Sequence, residues 1–554
     1  MLFLTTRQSR AVLVCILIGF LGLCVFGTTN MGVVGEVAWT WVAADPSSNL
    51  ASPPPNVSWG PLTASSTRPM ATLTIGSFNL PLAINLYTGG LADWPARLAS
   101  PLGWPAIMAV HLIGGAFFIA LVHRFLRIHA SAIAACCASL LLATDWVFVF
   151  FRQALGGTEL LLHASVLLCL WSIWSRRWAG GRHGLTAFAA GVGLGLTAKL
   201  TFVLSLFPLM LTSLILRQDK PRLRPPLPSQ WLPIVLAVTL PMIPMLIAWT
   251  MHAQSGLEAL ASHDHLATQM SRLSDTFAGK SRPARESIFA LQAWLGNGSS
   301  FLGPAWGANA PSWLSTYRFL GWSFILLGSG LAWLDRDPTP RLALTRFCSV
   351  FLPLQVACIW IVARDLHHLA IATPTLMILA GLCIDTICGH LTAKGSVKRI
   401  ILAFLCCVPW AWSGINSISG TDQILDTIER PTVSTRGQQN LVNWLNRHDV
   451  KRLVTLDYES AGSLDILEPS IEYFHGWTRI LTNRRTALTA LIKQAEGGHL
   501  LVIPQSPAWT YNLRPREADL VKAAARVGVD LVVVDHLPDG AADLYAVGSQ
   551  KGQP

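Results

Sequence analysis

Charge is what this chain has least of. Asp, Glu, Lys and Arg supply only 13% of its 554 residues, against 52% hydrophobic residues and a mean hydropathy of +0.46. So small a charged fraction, spread among long apolar runs, excludes an ordinary soluble enzyme and describes a polytopic membrane protein. A net charge of +11 would point to nucleic acid in a soluble chain. Here Lys and Arg collect in short loops, where membrane topology requires them, and no nucleic-acid partner is expected. A cleavable leader is also missing. Arg7 and Arg10 precede an apolar run from Ala11 to Val25, but no A-x-A-like site follows, so a retained signal-anchor is expected. Cysteine is absent from the polar segments. All eleven cysteines fall inside apolar spans, which excludes a disulfide framework and a thiolate metal site in the loops.

What is present is a series of apolar spans. Eleven are expected, at about 11–30, 101–122, 130–151, 158–175, 184–198, 200–216, 231–251, 318–334, 347–363, 369–388 and 400–416. With the N-terminus in the cytoplasm, every second loop is the basic one: 123–129, 176–183, 217–230, 335–346 and 389–399. That agreement with the positive-inside rule places two long loops, 31–100 and 252–317, on the non-cytoplasmic face. The expected organisation is a membrane module over 1–419 and a soluble outer domain over 420–554. In that domain Gln438–Arg447, Thr486–Ala495 and Pro515–Val527 predict helices. Arg452–Leu456, His499–Pro504 and Val529–Asp535 predict strands. Strands alternating with helices argue a small α/β domain with a mainly parallel sheet. No glycine-rich phosphate loop opens any of its helices, so no nucleotide site is expected there.

The first outer loop is the organising stretch. Glu36 follows the first span by a few residues, and Asp45 and a Pro53-Pro54-Pro55 break come next. Met70–Ala96 is apolar but punctuated by Gly and Pro, and is expected to form short helices in the interface, with Trp94 at headgroup level. A carboxylate over a membrane surface, framed this way, points to chemistry on a lipid-borne substrate.

Ionisable groups at membrane depth are functional candidates by default. Those at the outer ends of the spans are Asp145, Arg152, Glu159, His163, Lys199, Arg364, Asp365, His367 and His368. Glu159 and His163, four apart, share a helix face. The bland alternatives are that Arg152, Lys199 and Arg364 snorkel to the interface, that Asp145 is a hydrogen-bonding interior residue, and that His111 is a satisfied interior histidine. His263-Asp264-His265 resembles a metal fragment, but two histidines two apart cannot share one helix face and no further ligand is evident. Asn56-Val57-Ser58 and Asn297-Gly298-Ser299 match glycosylation acceptors on the outer face, of consequence only in a eukaryotic host.

The arrangement resembles the GT-C superfamily of membrane glycosyltransferases, in its protein O-mannosyltransferase and aminoarabinose-transferase branch. Gly35-Glu36-Val37-Ala38-Trp39 is similar to that family's Asp-Glu-containing start, and Pro81–Ile84 through Trp94–Leu98 to the segment before its second span. Phe151-Arg152-Gln153-Ala154-Leu155 with Glu159 resembles its arginine-then-acid signature. Gly193–Lys199 resembles its Gly-rich run ending in Lys, and His367-His368-Leu369 through Pro374 its last outer loop. The sequence departs from the family at Gly35, which stands where the first acid is expected. Either Glu36 or Asp45 supplies the base, or catalysis is lost.

The resemblance implies a plasma (inner) membrane hexosyl- or pentosyltransferase of the cell envelope, with active face and C-terminal domain outside. A polyprenyl-phosphate-linked sugar would be its donor and a lipid, glycan or protein its acceptor, joined in one inverting displacement that needs no metal. Glu36 or Asp45 would be the base. Lys199, Arg364, His367 and His368, with Arg152 and Glu159, would hold the lipid-linked donor. Two rivals remain, a non-catalytic lipid- or partner-binding protein on the same fold and a transporter. The odd span number, the lack of a visible inverted repeat and the large outer domain speak against the transporter.

Overall fold

The computed structural model describes residues 5–28, 71–76, 78–83, 88–153, 157–179, 184–216, 228–251, 291, 294–295, 314–336, 339–362, 366–392, 397–427, 435–456, 464, 468, 470–475, 484–502, 517–536 and 543–549. Glu36, Asp45, Arg364, Asp365, the 263–265 triplet and both glycosylation motifs lie outside the described residues.

Each expected span is a helix, and local chemistry sets many of the ends. Helix α1 (Thr6–Thr28) opens on a capping box in which Thr5 Oγ1 accepts from the Gln8 N–H, and Gln8 Oε1 from the Thr5 N–H. After β1 (Ala71–Ile75), β2 (Phe78–Ala83) and a short α2 (Trp94–Ala99), helix α3 (Trp104–His129) starts on Gly103 with Pro105 in its first turn. Ser131 caps α4 (Ala132–Thr144), taking the Ala134 N–H at 3.0 Å. Asp145 then caps α5 (Trp146–Gln153), accepting from the Val147 and Phe148 N–H groups at 3.1 and 3.2 Å. That cap sits at a 59° bend between α4 and α5. The run continues through α6 (Gly157–Ala179), α7 (Gly184–Ala198), α8 (Val203–Ile215), α9 (Pro228–Met251), α10 (Leu314–Leu334), α11 (Pro340–Val362), the one-turn α12 (Leu366–Leu369), α13 (Thr373–Leu391) and α14 (Val397–Thr427).

Among the described residues seven helices are long and apolar enough to cross a membrane, and the bent α4–α5 pair makes an eighth. The three other expected spans are the shorter apolar helices α7, α8 and α10. The chain is therefore a multi-pass membrane protein. At its centre every residue of Thr373–Cys388 is buried, so α13 has neighbours on all sides: α4, α10, α11 and α14. Small residues permit the crossings. A Cβ at Gly381 would meet the Ala134 carbonyl oxygen at 2.6 Å, and one at Gly193 the Val238 oxygen of α9 at 2.4 Å.

The end of the bundle that the charge pattern assigns to the cytoplasm is tied by polar contacts. Asp385 of α13 is fully buried and accepts from Arg399 at 2.6 Å, Ser131 at 2.7 Å and Arg341 at 3.1 Å, joining four helices. Arg341 and Arg399 are thus ion-pair partners as well as topology signals.

Two expectations need correction. Residues 71–83 form a β-hairpin rather than interfacial helix, with Ile75 paired to Phe78 across Gly76 at φ +60°. Thr and Ile on β1 favour strand, and a glycine in the left-handed region suits the tight turn. Helix appears only afterwards, over Leu91–Asp93, α2 and Ser100–Leu102. The sheet of the C-terminal domain is mixed rather than mainly parallel. Its strands are β3 (Arg452–Thr455), β4 (Glu472–His475), β5 (His499–Val502), β6 (Val529–His536) and β7 (Asp543–Ser549), in the order β4-β3-β5-β7-β6. β3 runs parallel to β4 and β5, whereas β7 is antiparallel to β5 and β6. The antiparallel pairings come from β7, which begins only seven positions after β6 ends, too few residues for a parallel crossover. Helix α15 (Thr435–Arg447) packs with Leu453, Leu501 and Leu544 on one face, and α16 (Arg484–Gln494) and α17 (Glu517–Val527) with Val454, Leu500 and Tyr545 on the other. Successive residues thus serve opposite layers, as the strand period requires.

Candidate functional site

A second set of buried ionisable groups in the membrane module lies at the end opposite Asp385. Arg152, on the last turn of α5, is wholly buried and does not snorkel. Its stem runs past Gly115 of α3, where a Cβ would stand 3.0 Å from Arg152 Cδ and 2.9 Å from Phe20 of α1. Its guanidinium carbon lies 5.6 Å from the centroid of the Phe148 ring. Nε, Nη1 and Nη2 are all buried without a hydrogen-bond partner among the described residues. Glu159, in the first turn of α6, is also buried and within electrostatic reach of Arg152, though not in ion-pair contact. The helix N-terminus favours its charge.

Two histidines complete this cluster. His111 of α3 reaches the start of α6: a Cβ at Gly157 would meet its Cε1 at 3.2 Å and the Ala92 carbonyl oxygen at 2.9 Å. His111 is buried, as an interior histidine is expected to be, and it also stands within electrostatic reach of Arg152. His163, one turn beyond Glu159, is fully buried and donates from Nε2 to the Ala370 carbonyl oxygen at 2.8 Å.

Lys199 approaches from α7. It is buried, and sits in extended backbone (φ −163°) at the break before the 3-10 turn Leu200–Phe202. Just before it, the Thr197 carbonyl accepts the Gly89 N–H at 2.9 Å. Gly89 and Ala92 are three residues apart, so one short stretch covers both the Lys199 turn and the Glu159 helix start. Trp94 steadies that cover. Its indole N–H donates to the Pro81 carbonyl at 2.7 Å and its ring packs against the cluster of Leu82, Ala83, Met245 and Ala248.

Asp145 belongs to the α5 cap, which gives it structural employment. His367 lies on the backbone of α12, and His368 is half-buried there. Glu36, Asp45 and Arg364 fall outside the described residues, so the geometry brings together Arg152, Glu159, His111 and His163, with Lys199 under the same cover. Among the described residues no group of three or more His, Cys, Asp or Glu is placed to hold a metal. The arrangement offers two buried basic side chains, an acidic one and two imidazoles, which suits an anion that also carries hydroxyl groups. Asp385 was missed by the sequence reasoning, although a carboxylate inside an apolar span is itself the signal that marks such residues.

No family model matches the chain, and no curated protein matches it in sequence. Solved structures do. The archaeal oligosaccharyltransferase AglB from Archaeoglobus fulgidus, in complex with an inhibitory peptide and a dolichol-phosphate, aligns over 100% of this chain and 75% of its own, at 12% identity and a TM-score of 0.50. The Archaeoglobus fulgidus oligosaccharyltransferase tethered by a disulfide to an acceptor peptide containing the NVT sequon aligns over 98% and 74%, at 12% identity and a TM-score of 0.50. ArnT from Cupriavidus metallidurans bound to undecaprenyl phosphate aligns over 92% and 96%, at 12% identity and a TM-score of 0.44. At such identities the likeness is one of fold. The chain shares its membrane fold with the archaeal oligosaccharyltransferase.

Proposed function

We propose that this protein is a membrane glycosyltransferase that moves a sugar from a polyprenyl-phosphate carrier to an acceptor on the non-cytoplasmic face. The observation that carries this is Arg152, a fully buried guanidinium with no hydrogen-bond partner among the described residues. Burying a guanidinium whose N–H groups find no acceptor costs on the order of several kcal/mol, even with a carboxylate within electrostatic reach. A site kept at that cost is explained by a ligand that brings the missing acceptors. The dolichol-phosphate held by the oligosaccharyltransferase of the same fold supports a polyprenyl phosphate as the carrier.

In this mechanism the acceptor oxygen attacks the anomeric carbon opposite the phosphate, and the bond from that carbon to the phosphate oxygen breaks. The sugar thus changes configuration once, and the electron pair leaves with the lipid phosphate. Glu36 or Asp45 takes the acceptor proton. Lys199 and Arg364, with His367 or His368, stabilise the departing phosphate, and Arg152 and Glu159 hold the donor. Within this scheme the sequence motifs favour the O-mannosyl and aminoarabinose transferase branch.

Donor binding to purified protein in vesicles tests the scheme. Lys199→Ala and Arg364→Ala are each expected to weaken binding of a polyprenyl-phosphate sugar by about 2–3 kcal/mol. Arg152→Met is expected to lose donor affinity while raising thermal stability, because an apolar chain of similar length relieves the buried charge. Parental affinity in all three variants refutes the site. Donor binding without transfer to any acceptor favours the non-catalytic alternative that Gly35 raises.

A further inference from the structure

The last outer turn is anchored by a side chain from far away in the chain. A carbonyl at a helix start ordinarily accepts from the N–H four residues on. For Ala370 that residue is Pro374, which has none. The Thr373 N–H reaches the Ala370 oxygen and closes the 3-10 turn Ala370–Ala372, leaving one lone pair open. His163 Nε2–H donates into it at 2.8 Å, across 207 residues of sequence. The bond fixes the proton on Nε2, since Nδ1 is buried without a partner among the described residues. The imidazole packs in a triangle with the rings of Phe118 (centroids 5.7 Å) and Phe148 (5.8 Å, interplanar 27°), which are themselves 5.9 Å apart. Phe148 is also the ring beneath the Arg152 guanidinium. A continuous stack thus runs from Arg152 through Phe148 and His163 to the backbone of the turn that follows His367 and His368.

We propose that His163 is a positioning residue of the donor site, setting the 366–372 turn against the helix that carries Glu159 through the Ala370 carbonyl. The proposal rests on the transferase reading above. His163 touches no donor atom and moves no proton. It supplies the one N–H that Pro374 removes.

Full-length protein in lipid nanodiscs tests this with His163→Phe and His163→Gln. Phenylalanine keeps a ring packed against Phe118 and Phe148 but offers no N–H, while glutamine places an amide N–H near the position of Nε2. Hydrogen exchange across 366–376 reads the anchor without reference to activity. It is expected to run about five- to tenfold faster in His163→Phe, the equivalent of one lost hydrogen bond, and near the parental rate in His163→Gln. Pro374→Ala, which restores the missing N–H, is expected to slow exchange again in the His163→Phe background. With a polyprenyl-phosphate sugar as donor, donor KM is expected to rise by a similar factor in His163→Phe. Acceptor KM and the pH profile should stay unchanged, and His163→Gln should restore donor KM. Parental exchange in His163→Phe, or equal impairment of the Phe and Gln variants, overturns the anchor. Faster exchange with unchanged donor KM overturns the positioning role. A parent that transfers nothing while the exchange pattern holds refutes the transferase reading, and the donor-site role with it, but leaves the anchor standing.

Discussion

At the scale of single residues the open question is the base. Gly35 leaves empty the position where the resemblance expects an acid, and Glu36 and Asp45 are the carboxylates of the first outer loop that can replace it. Glu36→Gln keeps size and hydrogen bonding but cannot accept a proton. It is expected to lower transfer by about 10²–10⁴ with donor binding intact, as removal of a general base does. Asp45→Asn is the matched control. Inactivity of that variant alone reassigns the base to Asp45, and full activity of both in a transferring preparation places the base elsewhere. The charged members of the buried cluster, Arg152, Glu159 and Lys199, were legible in the sequence because they stand out against apolar surroundings. His163 was legible only as a neighbour of Glu159. Its bond to Ala370 depends on a residue pair 207 positions apart, which no local pattern encodes. His111 was assigned to the ordinary interior because a lone mid-span histidine carries no spacing signal.

Among elements, the tight crossing of α7 with α9 makes a direct prediction. A Cβ at Gly193 would approach the Val238 oxygen to 2.4 Å and the Ala237 oxygen to 3.0 Å, both of them backbone atoms that cannot swing away. Gly193→Ala is therefore expected to destabilise the protein by about 1–3 kcal/mol, seen as a lower midpoint in thermal unfolding in detergent. Gly330 has open space where its Cβ would be, and Gly330→Ala serves as the neutral comparison. Helices were the most readable elements, since twenty apolar residues in a row admit few alternatives. The 71–83 hairpin was not, because its apolar content masked a period of two over only a few residues each side of Gly76. Strands β4 and β7 escaped for a related reason. Glu472–His475 has no apolar run, and the alternation in Asp543–Ser549 is interrupted by Gly548.

For the whole molecule, sidedness decides the chemistry, since a lipid-linked sugar donor belongs outside. Cysteines introduced at 60, 290 and 480 are expected to react with an impermeant thiol reagent in intact cells or spheroplasts, while those at 180, 222 and 340 are expected to stay unlabelled. Labelling at 180 or 222 across an intact membrane inverts the topology and removes the site from the outer face. The order in which the helices are made also matters, because α13 has no side left for lipid. Three of its neighbours, α4, α10 and α11, precede it in the chain, and α14 follows. When α13 leaves the insertion machinery its slot already has three walls, and the fourth arrives only with α14. During that interval an apolar helix destined for the protein interior must rest with one flank against lipid. Biogenesis thus passes through a stage in which the turn at Ala370 already has its partner histidine, while the central helix is still waiting to be enclosed.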